Sequence, residues 1–351
     1  MSYLLSVVLL SLVPLAMGAP SLITLNTTVI DLNNGPSGWV RASVTLSTPG
    51  TSGVFLAVYT PSTADVSPVA PQAYPDEGPW TANAAQKWIS CPSIPGCMGS
   101  TAFSFNFSIV NSYQDAIIHA FSGGESTPTL LASSPAITFS TPNAPTRGHL
   151  GRTPVLSEMN VTWWTPLIGV EGGAVKWGPS PSSLTNSAPA WSTTYTRDDM
   201  CGAPANGRGW VEPHFWLTAT VSGLTPGSTT PVYYSYGSDA GGWSVPLSFI
   251  PAPAPGADQT TRLLLLADNG VTEEDGTIDH WDEPSASLTV SRMRDWVQSG
   301  TGYDFSLILH PGDVSYSTGL LAKWATFSAR WGGVNDRVPY FVGQGNHERV
   351  S

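Results

Sequence analysis

The chain changes texture at Pro251-Ala252-Pro253-Ala254-Pro255-Gly256, and this break constrains its fold more than any other feature. Alternating prolines hold such a segment stiff and extended, so residues 251–259 read as a linker between domains of different kinds. Before it, apolar residues come in short alternating runs. Val40, Ala42, Val44 and Leu46 alternate with polar residues, and so do Phe103, Phe105, Phe107 and Ile109. A period of two places one face of a strand in a core and the other in water. Thr141-Pro142-Asn143-Ala144-Pro145 divides the region into a first β-sandwich module over 19–142 and a second over 143–250. In the second, 159–164, 174–177, 216–221 and 231–236 are strand candidates at sandwich-like spacing.

After the linker the grammar differs. Four consecutive leucines, Leu263 to Leu266, predict a strand buried on both faces over 262–267, as in a parallel sheet. The pattern then predicts a helix over 285–297, a strand over 305–309, a helix over 319–331 and a strand over 338–342. In the second helix Leu320, Leu321, Trp324, Phe327 and Trp331 recur at three- and four-residue steps. Strand, helix, strand, helix, strand is the order of an α/β layer, here over 260–351.

Composition agrees and excludes. Charged residues are 11% of the chain, against about 25% in a typical domain. A content of 41% hydrophobic and 10% aromatic residues is too rich for a disordered tail. The net charge of −11 repels nucleic-acid backbones and anionic membranes, so neither is an expected partner. A phosphate ester would need a local positive charge, which a bound metal supplies. The acidic segment Glu273-Glu274-Asp275, with 279–283, lacks EF-hand spacing and reads as a solvated loop. Trp163, Trp164, Trp177 and Trp210 read as sandwich core rather than a carbohydrate platform. There is no Gly-x-Ser-x-Gly elbow and no Walker loop to suggest a serine hydrolase or an NTPase.

Residues 4–15 are an apolar run followed by Ala16-Met17-Gly18, the pattern of a signal peptide over 1–18. Three Asn-x-Ser/Thr triplets, at Asn26, Asn106 and Asn160, agree with a secreted glycoprotein. Cys91 and Cys97 enclose a short turn-rich loop that a disulfide could close. Cys201 is left over, either buried or available to pair between chains as a homo-oligomer.

Three short motifs follow the three expected parallel strands. They are Asp268-Asn269-Gly270, then Gly312-Asp313-Val314-Ser315-Tyr316, then Gly345-Asn346-His347-Glu348. In a parallel sheet all three lie at the carboxyl ends of the strands, where α/β proteins place their ligands. Two carboxylates, a phenol and an amide are hard oxygen donors, and with one imidazole they suit di- or trivalent metals. A pair of metals clamps a phosphoryl group and yields a hydroxide nucleophile near neutral pH.

These motifs resemble those of the purple acid phosphatases, within the calcineurin-like metallophosphoesterases. So do Met200-Cys201-Gly202-Ala203-Pro204-Ala205 and Arg337-Val338-Pro339-Tyr340, which resemble the large plant-type members. The turn Leu224-Thr225-Pro226-Gly227, leading into Tyr233-Tyr234-Ser235-Tyr236, resembles a fibronectin type III domain. The resemblance implies an acid phosphatase that hydrolyses phosphate monoesters at a binuclear centre, Fe(III) with Fe(II), Zn(II) or Mn(II). Asp268 and Tyr316 would bind the ferric ion, Asp313 would bridge, and Asn346 would bind the divalent ion. His347 would contact the substrate phosphate and protonate the leaving group, while His310 would support a ligand from behind. Two further family motifs, Val-x-x-His and Gly-His-x-His, come after Gly-Asn-His-Glu in the family, and neither follows it in this sequence. His119, His149, His214 and His280 lie upstream of Gly-Asn-His-Glu and do not stand for these later motifs, so four of the family's seven ligands are present. The expectation is therefore an incomplete α/β metallophosphatase domain, part of a longer enzyme, binding metal weakly and exposing an apolar sheet face. Two other functions compete: a nucleotide pyrophosphatase/phosphodiesterase of the same family, and a non-catalytic secreted β-rich binding protein with a degenerate metal site.

Overall fold

A computed structural model describes residues 20–32, 37–64, 66, 85–166, 172–207, 209–279, 283–299 and 305–348. The expected signal peptide over 1–18 and His280 lie outside the described residues.

The first module is a β-sandwich. One sheet holds β1 (Leu22–Leu25), β3 (Ser37–Thr45) and β6 (Ala102–Val110). The other holds β5 (Ala85–Ser90), β4 (Phe55–Tyr59), β7 (Ile117–Ser122) and β8 (Thr129–Ser133) in that order. A short parallel pair, β2 (Val29–Ile30) with β9 (Thr138–Phe139), closes one end. The alternation seen in the sequence sets the register: Val40 lies opposite Phe107, Ala42 opposite Phe105 and Val44 opposite Phe103. Val40, Ala42 and Val44 face a core completed by Leu56, Val58 and Ile118 of the other sheet. Cys91 and Cys97 form a disulfide. Cys201 is an exposed free thiol.

The second module is also a sandwich. Its sheets are β10 (Thr146–Arg152), β11 (Met159–Thr165), β15 (Phe215–Val221), β14 (Trp191–Thr193), and β13 (Asn186–Pro189), β12 (Ala174–Gly178), β16 (Val232–Ser238), β17 (Gly242–Trp243), with β18 (Leu247–Phe249) also on β16. Trp163 stacks on Tyr236 between the sheets, with ring centroids 5.4 Å apart. Trp177 and Tyr234 share that core. Trp164 packs instead at a junction of all three modules, against Val110 of β6 and Ala325 of the α/β layer, and Trp210 is only half-buried in a loop.

The α/β layer runs β19 (Leu263–Leu265), α1 (Ala286–Gln298), β20 (Leu307–Pro311), α2 (Leu321–Arg330), β21 (Tyr340–Gly343). All pairings are parallel and the strand order is sequential. Both helices pack on the same face of the sheet, as the general right-handedness of such crossovers requires when they step in one direction. Leu264 and Ile308 point into the core under them, with Val290, Met293, Phe327 and Trp331. The leucine run is therefore not buried on both faces. Leu263, Leu265 and Phe341 lie exposed, Leu265 at 71%, on a face that no helix among the described residues covers.

Two buried clusters tie the modules together. Arg147 of β10 donates to the carbonyls of Ala325 and Asn111, and its guanidinium lies 4.5 Å from the Trp164 ring centroid. The second cluster corrects the reading of the acidic segment as solvated. Glu273 and Asp275 are buried against Lys87 of β5 at 3.0 and 2.6 Å. Glu274 pairs with Arg330 of α2 at 2.7 Å and accepts from Ser108 of β6. Lys323 pairs with Asp279 at 2.9 Å. The run looked solvated because its cations lie far away in the chain: Lys87 belongs to the first module.

Candidate metal centre

Where β19, β20 and β21 end, their loops continue side by side. The Asn269 amide donates to the Asp313 carbonyl at 3.2 Å, and that of Gly270 to Val314 at 3.0 Å. Gly312 donates to Gly343 at 2.8 Å, and Thr318 to His347 at 3.0 Å. The three motifs are thus stitched into one surface by main-chain bonds.

The backbone there is unusual. Asp268, Asp313, Tyr316 and Thr318 have φ of 52°, 43°, 55° and 46°. Such left-handed conformations in residues other than glycine are uncommon. Each costs roughly 1–3 kcal/mol and persists only where the surroundings impose it, typically at functional sites.

The strained residues include three of the candidate donors, Asp268, Asp313 and Tyr316. The Tyr316 hydroxyl donates to Asp268 Oδ1 at 3.3 Å. Asp313 Oδ1 accepts from the His347 amide at 3.1 Å. The His347 ring stacks on Tyr316, centroids 4.5 Å apart and planes at 26°. Asn346 is exposed on the turn between Gly345 and His347, and among the described residues its side chain takes part in none of the hydrogen bonds that join the loops. His310 is buried behind the site, bonded through Nδ1 to the Tyr340 hydroxyl at 2.6 Å and stacked on Trp331. Burial holds its imidazole below the ordinary value.

Burial, with the carboxylates of Asp268, Asp313 and Glu283, pushes the Tyr316 phenol well above the ordinary tyrosine range. Negative charge is concentrated here, and a cation is the natural complement. Oxygens bound at about 2.0–2.2 Å to one small cation lie roughly 3 Å from each other, close to the Tyr316 to Asp268 separation. A side chain at Gly345 would run into the Asp313 amide and carboxylate, so only glycine lets this loop approach so closely. The residues fit a hard cation. Among the described residues no three His, Cys, Asp or Glu side chains converge as a metal cluster. The candidate donor set is a mixed one of carboxylate, phenol and amide.

One residue has a role that the motif alone did not reveal. Glu348 Oε1 accepts the amides of Val314, Ser315 and Tyr316 at 2.8, 3.0 and 3.2 Å, and Oε2 that of Gly345 at 3.0 Å. Its place at the end of Gly-Asn-His-Glu was the available signal.

Known proteins match along the chain. The family model of the purple acid phosphatase N-terminal domain matches residues 145–250, and that of the Fn3-like domain from purple acid phosphatase matches 23–141. The structure of purple acid phosphatase PPD1, isolated from yellow lupin (Lupinus luteus) seeds, superposes with a TM-score of 0.81 at 26% identity over 94% of this chain and 57% of that one. This chain belongs to the purple acid phosphatase family.

Among curated members, the probable inactive purple acid phosphatase 27 of Arabidopsis thaliana is 31% identical over 320 residues, 89% of this chain and 50% of the relative. A nucleotide pyrophosphatase/phosphodiesterase of Hordeum vulgare is 32% identical over 108 residues, 30% of this chain and 28% of that protein. The chain spans about half the length of the first curated purple acid phosphatases it matches. The Fn3-like description falls on the first module, whereas the fibronectin-like turn noted in the sequence lies in the second. Both are sandwiches ahead of an incomplete α/β phosphatase layer.

Proposed function

We propose that this chain supplies part of a binuclear metal centre for hydrolysis of phosphate monoesters in the secretory pathway or outside the cell. The observation that carries this reading is the locked arrangement of Asp268, Asp313 and Tyr316, on two strained turns from adjacent strand ends. Asp268 and Tyr316 would hold a ferric ion, Asp313 would bridge, and Asn346 would hold Fe(II), Zn(II) or Mn(II). When bound, such a pair supplies positive charge to the phosphoryl oxygens and acidifies water. His347 is held with its ring against Tyr316 and its amide on Asp313. From there its imidazole would contact the substrate phosphate and give a proton to the departing alkoxide.

A second reading, a non-catalytic secreted β-rich protein with a degenerate site, is favoured by the names of the first relatives, which are probable inactive purple acid phosphatases. The experiment that separates them is titration with Fe(III) followed by assays on an aryl phosphate and its bis-ester. A visible phenolate-to-iron band with turnover of the monoester supports the phosphatase. Turnover of the bis-ester instead supports a phosphodiesterase. A band without turnover supports the non-catalytic reading, and no band overturns the metal site.

A further inference from the structure

We propose that Glu348 is a positioning residue that pre-forms the metal turn before any cation arrives. The inference rests on the metal reading above and adds the device that holds the donors in place.

Three successive amides, those of Val314, Ser315 and Tyr316, converge on Glu348 Oε1. Consecutive N–H groups that point to one spot form a nest, a concavity selective for an anion. Here the anion is the protein's own carboxylate. Its other oxygen takes the Gly345 amide, so one side chain binds the turn after β20 to the turn after β21. The Asp313 carboxylate crosses the other way, to the His347 amide. Two carboxylates thus reach across the gap in opposite directions.

The consequence concerns strain. Asp313 and Tyr316 both hold positive φ, and these are two of the proposed donors. Left to itself such a turn relaxes to ordinary backbone angles, and the donors turn away. Charged hydrogen bonds are stronger than neutral ones, and four of them on one carboxylate over-determine the turn. Glu348 binds no metal in this scheme. It acts through Asp313 and Tyr316.

The test uses the full chain with Glu348→Ala and Glu348→Gln, in two measurements. The first is hydrogen exchange of the metal-free protein. The amides of Val314, Ser315, Tyr316 and Gly345 are expected to exchange roughly tenfold faster or more in Glu348→Ala, while Val161 and Leu217 in the second module are unchanged. Glu348→Gln keeps one acceptor oxygen but no charge, and should fall between. The second is Fe(III) titration, read by the phenolate band. Affinity should fall about 10- to 100-fold in Glu348→Ala, with partial rescue in Glu348→Gln. Tyr316→Phe should lose the band yet keep the exchange protection. Unchanged exchange in Glu348→Ala overturns the proposal, and so does faster exchange with unchanged iron affinity. A wild-type chain with no band counts against the metal reading alone, and the exchange comparison then still decides whether Glu348 holds the turn.

Discussion

Lys87 Nζ lies 2.6 Å from Asp275 Oδ2, and both side chains are buried. The pair joins a strand of the first module to the segment that follows Asp268. Lys87 also pairs with Glu273 and donates to the Ser108 carbonyl. Lys87→Met would leave two buried carboxylates with fewer cations. Breaking such a pair from one side costs about 3–5 kcal/mol. The midpoint of urea unfolding, followed by fluorescence, should fall accordingly, and Lys87→Arg should lose less.

Arg147 is the corresponding tie between β10, the first module and α2. Arg147→Ala removes its bonds to Asn111 and Ala325 and its place over Trp164. Loss of roughly 2–4 kcal/mol is expected. The cost falls on the junction, so small-angle scattering should show a larger radius of gyration while the circular dichroism of the sandwiches persists.

His119 makes stability depend on pH. It is buried in the first module beside Tyr59 and Phe121, and burial lowers its pKa from 6.5 to about 4. The folded chain prefers the neutral ring. Its contribution is therefore fully present above pH 6.5 and is lost as pH falls towards about 4. In His119→Gln the slope of melting temperature against pH should flatten in that window. An unchanged slope would refute the assignment.

Gly345→Ala tests the close approach at the site. The added methyl would meet the Asp313 carboxylate and amide, so Asp313 must move. The phenolate band on Fe(III) addition should weaken strongly, while the melting temperature of the sandwich modules stays near that of the parent.

Leu265 and Phe341 lie exposed on the open face of the α/β sheet. Leu265→Glu with Phe341→Glu should reduce binding of an apolar dye and concentration-dependent association. Changes at exposed positions usually stay within about 0.5 kcal/mol each, so urea stability should barely change.

The layer was legible because period and punctuation agree there. Ala286–Gln298 and Leu321–Arg330 fall where the helical spacing and the glycines after each run placed them. The alternation of Val40 to Leu46 set both register and core. The leucine run was read less well. Four apolar residues in a row suit burial on both faces, but only the face under α1 and α2 is covered among the described residues. The acidic segment was misread for a related reason. Local sequence shows three carboxylates together, and it does not show that Lys87 lies 186 residues from Glu273 in the chain yet 3.0 Å from it in space.

The sequence by itself determined the order of elements, the division into two β modules and an α/β layer, and the identity of the candidate donors. Those follow from periodicity, breakers and residue chemistry, which are local properties. Only the tertiary structure decided that three of the four candidate donors have left-handed backbone, that Glu348 gathers four amides from two loops, and that the first module grips the acidic segment through a buried lysine. Those depend on which distant groups meet once the core has closed, and burial then gives charge and hydrogen bonding their strength.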